Sequence, residues 1–227
     1  MERLVSPAAF TAREGEGALR LALPRGALFE PCLEMLDRAG FDTAEPRGGS
    51  RALIFDLGWL TIVTVRPTDV PTYVEAGAAD LGITGKDVLI EQAERAVYEL
   101  ADLGFGRCRM VLAAREGSDQ LGEAERRLGS MRIATKYPRT AEAFFASAGR
   151  QAEVIEVKGS VELAPLVGLA DGIVDLVDTG RTLADNGLAV VEEISVCTAR
   201  LLANRVAYKL RADEVDVMVE RLRGAAG

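Results

Sequence analysis

From residue 19 onward, short apolar runs alternate with segments whose apolar residues recur every three or four positions. That alternation constrains the fold most sharply, because strand and helix patterns in succession predict sheets covered by helices. Residues 19–23 read as a first strand, broken by Pro24 to Gly26. Leu28, Phe29, Cys32, Leu33 and Leu36 then fall at helical spacing, and the helix ends at Gly40. The runs 52–57 and 60–65, separated by Gly58 and Trp59, read as a hairpin-like pair. A short helix at 70–75 follows Asp69, and 80–84 is a buried strand. The chain turns extended again at 108–114. The polar stretch 115–129 after it is the expected domain crossing. Beyond it come strands at 132–135, 154–157 and 172–177, a helix presenting Ala141, Phe144, Phe145 and Ala148, and a final helix at about 212–222 with Val215, Met218, Val219 and Leu222 inward. Residues 1–18 lack periodicity and carry Gly15 and Gly17, the pattern of a loose arm. Two such series predict two α/β lobes, each on a mostly parallel sheet, with a cleft between them.

Composition then removes whole classes of chemistry. The chain has 227 residues, room for one large or two small domains, and no histidine. A Ser/His/Asp triad, a Cys/His pair and an imidazole-ligated metal are therefore impossible. Cys32, Cys108 and Cys197 are spaced too widely along the chain for a disulfide framework or a zinc knuckle, which points to a reducing cytoplasm. The apolar stretch 7–10 precedes Arg13, Glu14 and Glu16 and is too short for an export signal or a membrane span. With 27 Lys+Arg against 35 Asp+Glu, the net charge of −8 disfavours a nucleic acid partner.

The segment 171–188, DGIVDLVDTGRTLADNGL, carries the strongest chemical signal. An apolar strand ends in acids and runs into Thr179, Gly180, Arg181 and Thr182. Gly180 lets backbone approach a ligand closely, the amides that open the next helix point outward, and two hydroxyls add donors, so the loop suits a phosphate. Asp175 and Asp178 beside it suit ribose hydroxyls, or a Mg²⁺ that bridges them to a pyrophosphate. Together they suggest a phosphoribosyl diphosphate; a plain strand-to-helix turn capped by threonine is the alternative reading of the loop alone. Two nucleotide signatures fail. In 82–87, GITGKD, Asp80 stands where a Walker loop has its first glycine and Asp87 where it has Ser or Thr. Gly104 and Gly106 are followed by Arg109 in place of a third glycine. Arg25, Arg51 and Arg66 lie at strand edges or in a glycine-containing loop, where guanidinium forks could neutralise a triphosphate. Tyr137, before Pro138, could stack on a base or pack on its own lobe.

Nearly the whole chain resembles the ATP phosphoribosyltransferase family in its short form. The resemblance rests on LALPRGALFEPCLEMLDRAGF at 21–41, VRPTDVPTYVEAGAADLGITGKDVL at 65–89, RIATKYP at 132–138 and GSVELAPLVGLADGIVDLVDTGRTLADNGL at 159–188. It implies the first step of histidine biosynthesis, in which N1 of ATP attacks the anomeric carbon of phosphoribosyl diphosphate and pyrophosphate leaves. It also implies an α/β fold of two lobes like a type II periplasmic binding protein, lobe I (1–107 with 197–227) on the ATP side and lobe II (108–196) on the phosphoribosyl diphosphate side. By position, Asp178 to Thr182 would hold the 5′-phosphate, and Asp175 and Glu162 would face the ribose hydroxyls. Arg25, Arg51, Arg66, Asp87 and Tyr137 would serve ATP, with Arg51 also placed to neutralise the departing pyrophosphate and Arg51 and Arg25 as the catalytic residues. Relatives usually carry Lys where Arg25 stands, and often Arg where Ala27 stands. Mg²⁺ held near Asp175, homodimer contacts, and a separate histidyl-tRNA-synthetase-like regulatory subunit in a hetero-octamer are further implications, since this sequence leaves no room for a regulatory domain after its last helix. Two rivals share the fold or the donor: a non-enzymatic solute-binding protein, and a phosphoribosyltransferase using another acceptor base.

Overall fold

The computed structural model describes residues 17–49 and 51–226. The arm expected at 1–18 lies outside these except for its last two residues. The chain divides into two compact units, with crossings at Gly106/Arg107 and again at Cys197/Thr198.

The first unit contains β1 (Leu19–Pro24), α1 (Phe29–Arg38), α2 (Ala44–Arg47), β2 (Ile54–Asp56), β3 (Leu60–Val65), α3 (Val70–Glu75), β4 (Leu81–Gly85), α4 (Lys86–Glu91) and β5 (Val97–Asp102). The second contains β6 (Cys108–Arg115), α5 (Gln120–Leu128), β7 (Met131–Thr135), α6 (Pro138–Ser147), β8 (Ala152–Glu156), α7 (Leu163–Leu166), β9 (Gly172–Val177), α8 (Arg181–Asp185) and β10 (Leu188–Cys197). The chain then returns to the first unit with β11 (Ala199–Asn204), α9 (Arg205–Leu210) and α10 (Ala212–Ala226).

The first unit's sheet runs β2-β3-β1-β4-β11-β5. β3, β1 and β4 are parallel, with Pro24 opposite Val65 and Ala22 opposite Gly82, whereas β2, β11 and β5 run antiparallel to their neighbours. α1 buries Cys32, Leu33, Met35 and Leu36, and α10 buries Val215, Met218 and Leu222 in the same core. Each such leucine contributes about 2 kcal/mol of apolar burial. Pro31 falls in the first turn of α1, where its missing N–H breaks no helical bond. α3 lies so close to β4 that a Cβ at Gly82 would come within 2.6 Å of Val74 and 2.7 Å of Val70. Asn204 caps α9 by accepting from the amides of Val206 and Ala207, while its Nδ2 donates to the Val74 carbonyl at 2.7 Å.

The second unit's sheet runs β10-β6-β9-β7-β8. β7 is parallel to both β8 and β9, and β6 is antiparallel to both β9 and β10. Two expectations are corrected here. The sheets are mixed rather than mostly parallel, because hydrophobic runs reveal strands but not the direction in which the chain re-enters a sheet. Nor is the stretch 115–129 a domain crossing: α5 occupies it and buries Leu121 and Ala124 inside the second unit's core.

Candidate active site

Parallel strands gather ligand-binding groups at their carboxyl ends. In the second unit, β7 and β9 are direct neighbours, with Thr135 opposite Val174, so the residues that follow each strand meet. Thr135, fully buried, fixes the junction: its hydroxyl donates to the Val174 carbonyl at 2.6 Å and accepts from the Tyr137 amide at 2.9 Å. A pocket of about 120 Å³ opens beyond β9, lined by Glu162, Asp175 and the turn from Asp178 through Leu183. Gly180 adopts φ +82°, the left-handed conformation that only glycine takes without strain, and this rotates the chain into α8. The first amides of α8, Arg181 and Thr182, have no acceptor within their own helix; that of Arg181 reaches the Thr179 hydroxyl at a long 3.4 Å. The residues that carry these amides line the pocket.

Carboxylates line the same pocket. Asp175 is 7% exposed. Its Oδ1 accepts from the Leu176 amide at 2.9 Å, and Lys136 Nζ lies 3.8 Å from Oδ2. Burial pushes the Asp175 carboxyl above the ordinary range; the Leu176 amide and Lys136 oppose the rise, and the Glu162 carboxylate adds to it. Glu162 sits at the start of α7, turned to the same pocket. Lys136 is a residue that sequence reasoning missed: one lysine after a strand reads as solvated surface, and only the β7–β9 pairing brings it to Asp175.

In the first unit, β1 and β3 end side by side, placing Arg25 and Arg66 directly after them. The Arg25 amide donates to the Val65 carbonyl at 2.8 Å. Its guanidinium is held by the Thr64 hydroxyl at 3.2 Å and the Ala52 carbonyl at 3.5 Å. Arg25 and Arg51 line one pocket of about 590 Å³ together with Arg47, Glu30 and Phe29. Arg47, also unanticipated, is committed to ion pairs at 2.6 Å with both Glu30 and Asp37, so Arg25 and Arg51 are the cations better placed for a ligand. Arg66 and Asp87 do not line this pocket. Arg66 precedes a short 3₁₀ turn, and buried Asp87 folds back over Gly85 at the start of α4, so tightly that a Cβ there would collide with it. Tyr137 belongs to the second unit and packs against that unit's core, whereas the four other residues expected on the ATP side belong to the first unit.

Residues 66–224 match the HisG family, ATP phosphoribosyltransferase. The chain belongs to this family. An ATP phosphoribosyltransferase of Rubrobacter xylanophilus is 55% identical over 198 residues, 87% of this chain and 91% of its own. That of Bacillus subtilis is 45% identical over 206 residues, covering 90% and 93%. Among solved structures, the ATP phosphoribosyl transferase (HisG:HisZ) complex from Thermotoga maritima superposes with a TM-score of 0.74 at 35% identity, over 92% of this chain and 98% of that one. The periplasmic aliphatic sulphonate binding protein SsuA of Escherichia coli gives 0.61 at 14% identity, over 93% and 73%, a likeness of fold alone that fixes the architecture as periplasmic-binding-protein-like. As an ATP phosphoribosyltransferase the chain is a pentosyltransferase of histidine biosynthesis, which joins ATP to 5-phosphoribosyl 1-diphosphate and releases diphosphate. The solute-binding alternative shares its fold and not its sequence.

Proposed function

We propose that the 107–197 unit holds the phosphoribosyl donor and the first unit the phosphates of ATP. The observation that carries this reading is the convergence of the TGRT turn, Asp175 and Glu162 on one pocket at the carboxyl end of β9. Main-chain amides of 179–182 and the hydroxyls of Thr179 and Thr182 would take the 5′-phosphate, with Asp178 and Arg181 flanking it. Asp175 and Glu162 would accept hydrogen bonds from the ribose diol. Arg25 and Arg66, on adjacent strand ends, suit the triphosphate; Arg51, sharing a pocket with Arg25, suits the leaving diphosphate. Asp87 and Tyr137 remain secondary candidates on the ATP side.

The chemistry matches these groups. The bond from the anomeric carbon to the diphosphate oxygen lengthens as N1 of ATP approaches, and positive charge develops on the sugar. The attacking ring nitrogen is already neutral, so no strong base is needed and the lack of histidine costs nothing. What remains for the protein is to align two polyanions and to support charge on the leaving group. The family needs a divalent cation, and we take it to be Mg²⁺. Among the described residues no cluster of three or more His, Cys, Asp or Glu forms a protein cage. Asp175 and Glu162 still fit an ion that binds through one or two carboxylates plus substrate oxygens. When bound it would neutralise charge on the diphosphate.

The Thermotoga relative is a complex of HisG with HisZ, and this chain covers nearly all of its matched chain. A HisZ-type regulatory subunit, histidyl-tRNA-synthetase-like and assembled with homodimers of this chain into a hetero-octamer, is therefore the proposed partner. No helix among the described residues is long and apolar enough to cross a membrane. The low cysteine count fits the cytoplasm we assign. The test is turnover: chain plus HisZ-type subunit, phosphoribosyl diphosphate and Mg²⁺, followed by ultraviolet absorbance. ATP should give product, adenine and orotate none; product from adenine or orotate and not from ATP would overturn the acceptor assignment.

A further inference from the structure

The second unit's first strand begins on a cysteine and its last strand ends on one. Cys108 is the first residue of β6 and Cys197 the last of β10; they are 89 residues apart in sequence yet directly opposite in the antiparallel register. Wide spacing along the chain spoke against a disulfide framework, but strand pairing brings this pair together. Directly opposed residues share a face of the sheet, with Cα atoms about 4.5–5.5 Å apart and Cβ atoms at a similar distance. That Cα spacing lies inside the window of about 4.4–6.8 Å that a disulfide requires, and the Cβ atoms need to close by roughly an ångström at most. Both residues end their strands, where such a shift disturbs few ladder bonds. Cys108 Sγ already lies 3.9 Å from the Cys197 carbonyl. The two differ in access: Cys108 is half-buried and Cys197 is 1% exposed. Cys32 lies in the other unit, fully buried, with its thiol pushed far above the usual range by burial.

We propose that Cys108 and Cys197 form a two-cysteine oxidation site that closes reversibly with low-molecular-weight disulfides. The Cys108 thiolate attacks one sulfur of the oxidant RSSR, expelling RS⁻ and leaving a mixed disulfide. Cys197 loses its proton and attacks the Cys108 sulfur, forming the Cys108–Cys197 bond and expelling the second RS⁻. Two cysteine thiols are oxidised, one RSSR is reduced, and two RSH result. The bond would close a loop that spans nearly the whole second unit and so restrict its unfolded chain, and the oxidised unit resists unfolding more strongly. None of this depends on the substrate assignments.

The test is on the full-length wild-type chain. It is treated with oxidised glutathione, quenched, alkylated and digested, and a parallel sample is unfolded in urea. Expected are a cross-linked Cys108–Cys197 peptide, complete release of glutathione, alkylated Cys32, and a raised urea midpoint that dithiothreitol reverses. Cys197→Ser should stop at glutathione on Cys108. A mixed disulfide persisting on wild-type Cys108, unreacted thiols at both positions, a cross-link to Cys32 or between chains, or an unchanged midpoint would each overturn the proposal.

Discussion

Replacing Asp175 by Asn should stabilise the protein while disabling it. The carboxylate is 7% exposed, it faces Glu162, and its nearest cation, Lys136, is 3.8 Å away with a side chain 40% exposed. Asparagine keeps the shape and can still accept from the Leu176 amide, which now lies 2.9 Å from Oδ1. What is lost is a loose ion pair worth about 0–1 kcal/mol. What is gained is relief from burying a charge beside another of the same sign, a stability-for-activity exchange typically of about 0.5–2 kcal/mol. A net gain of about 1 kcal/mol corresponds to roughly 2–4 °C in Tm for a chain of this size. The pH dependence follows from the raised carboxyl. Between its ordinary titration range and its raised one, the folded protein keeps a proton that the unfolded chain has released, so wild-type stability falls as pH climbs through that window and stays lower above it. The two proteins should therefore be equally stable in acid, part as pH rises, and differ by a constant amount at neutrality. Urea unfolding at a series of pH values reads the gap. Steady-state absorbance should show turnover reduced about 10²-fold or more, as for loss of a transition-state partner. A variant less stable than wild type at neutral pH, or one with full activity, would refute the reasoning.

Gly180→Ala tests the turn itself. Its Cβ would meet ordinary space, the nearest atom being Val177 Cγ1 at 3.8 Å, so the cost is that of a left-handed alanine, about 1–2 kcal/mol. The KM for phosphoribosyl diphosphate should rise about tenfold with the KM for ATP unchanged; equal effects on both substrates would point to general damage. Arg51→Ala should slow the chemical step about 10²-fold with little change in urea midpoint, since the side chain is exposed. An unchanged single-turnover rate would remove Arg51 from leaving-group support.

Segments were legible in the sequence where burial was strong, on both faces of a strand or along one stripe of a helix. The runs that became β1, β3, β4 and β9 are nearly continuous apolar stretches, and α1 and α10 carry clean helical stripes. β10 gives a weak signal because half of LAVVEEISVC is exposed and two register shifts interrupt its pairing with β6. β5, an edge strand whose positions are all half-buried or exposed, gives an equally weak alternation. The TGRT turn was legible because glycine, hydroxyls and acids follow a buried strand. Lys136, the commitment of Arg47 to Glu30 and Asp37, and the apposition of Cys108 with Cys197 were not, because each depends on which strands or helices become neighbours, and no local period encodes that.

A crystal structure of the chain with phosphoribosyl diphosphate bound tests the central claim most directly. The 5′-phosphate should lie within hydrogen-bond distance of the main-chain amides of 179–182, with the ribose diol on Asp175 and Glu162. A donor seated elsewhere, with the turn after β9 making no contact to it, would contradict the assignment.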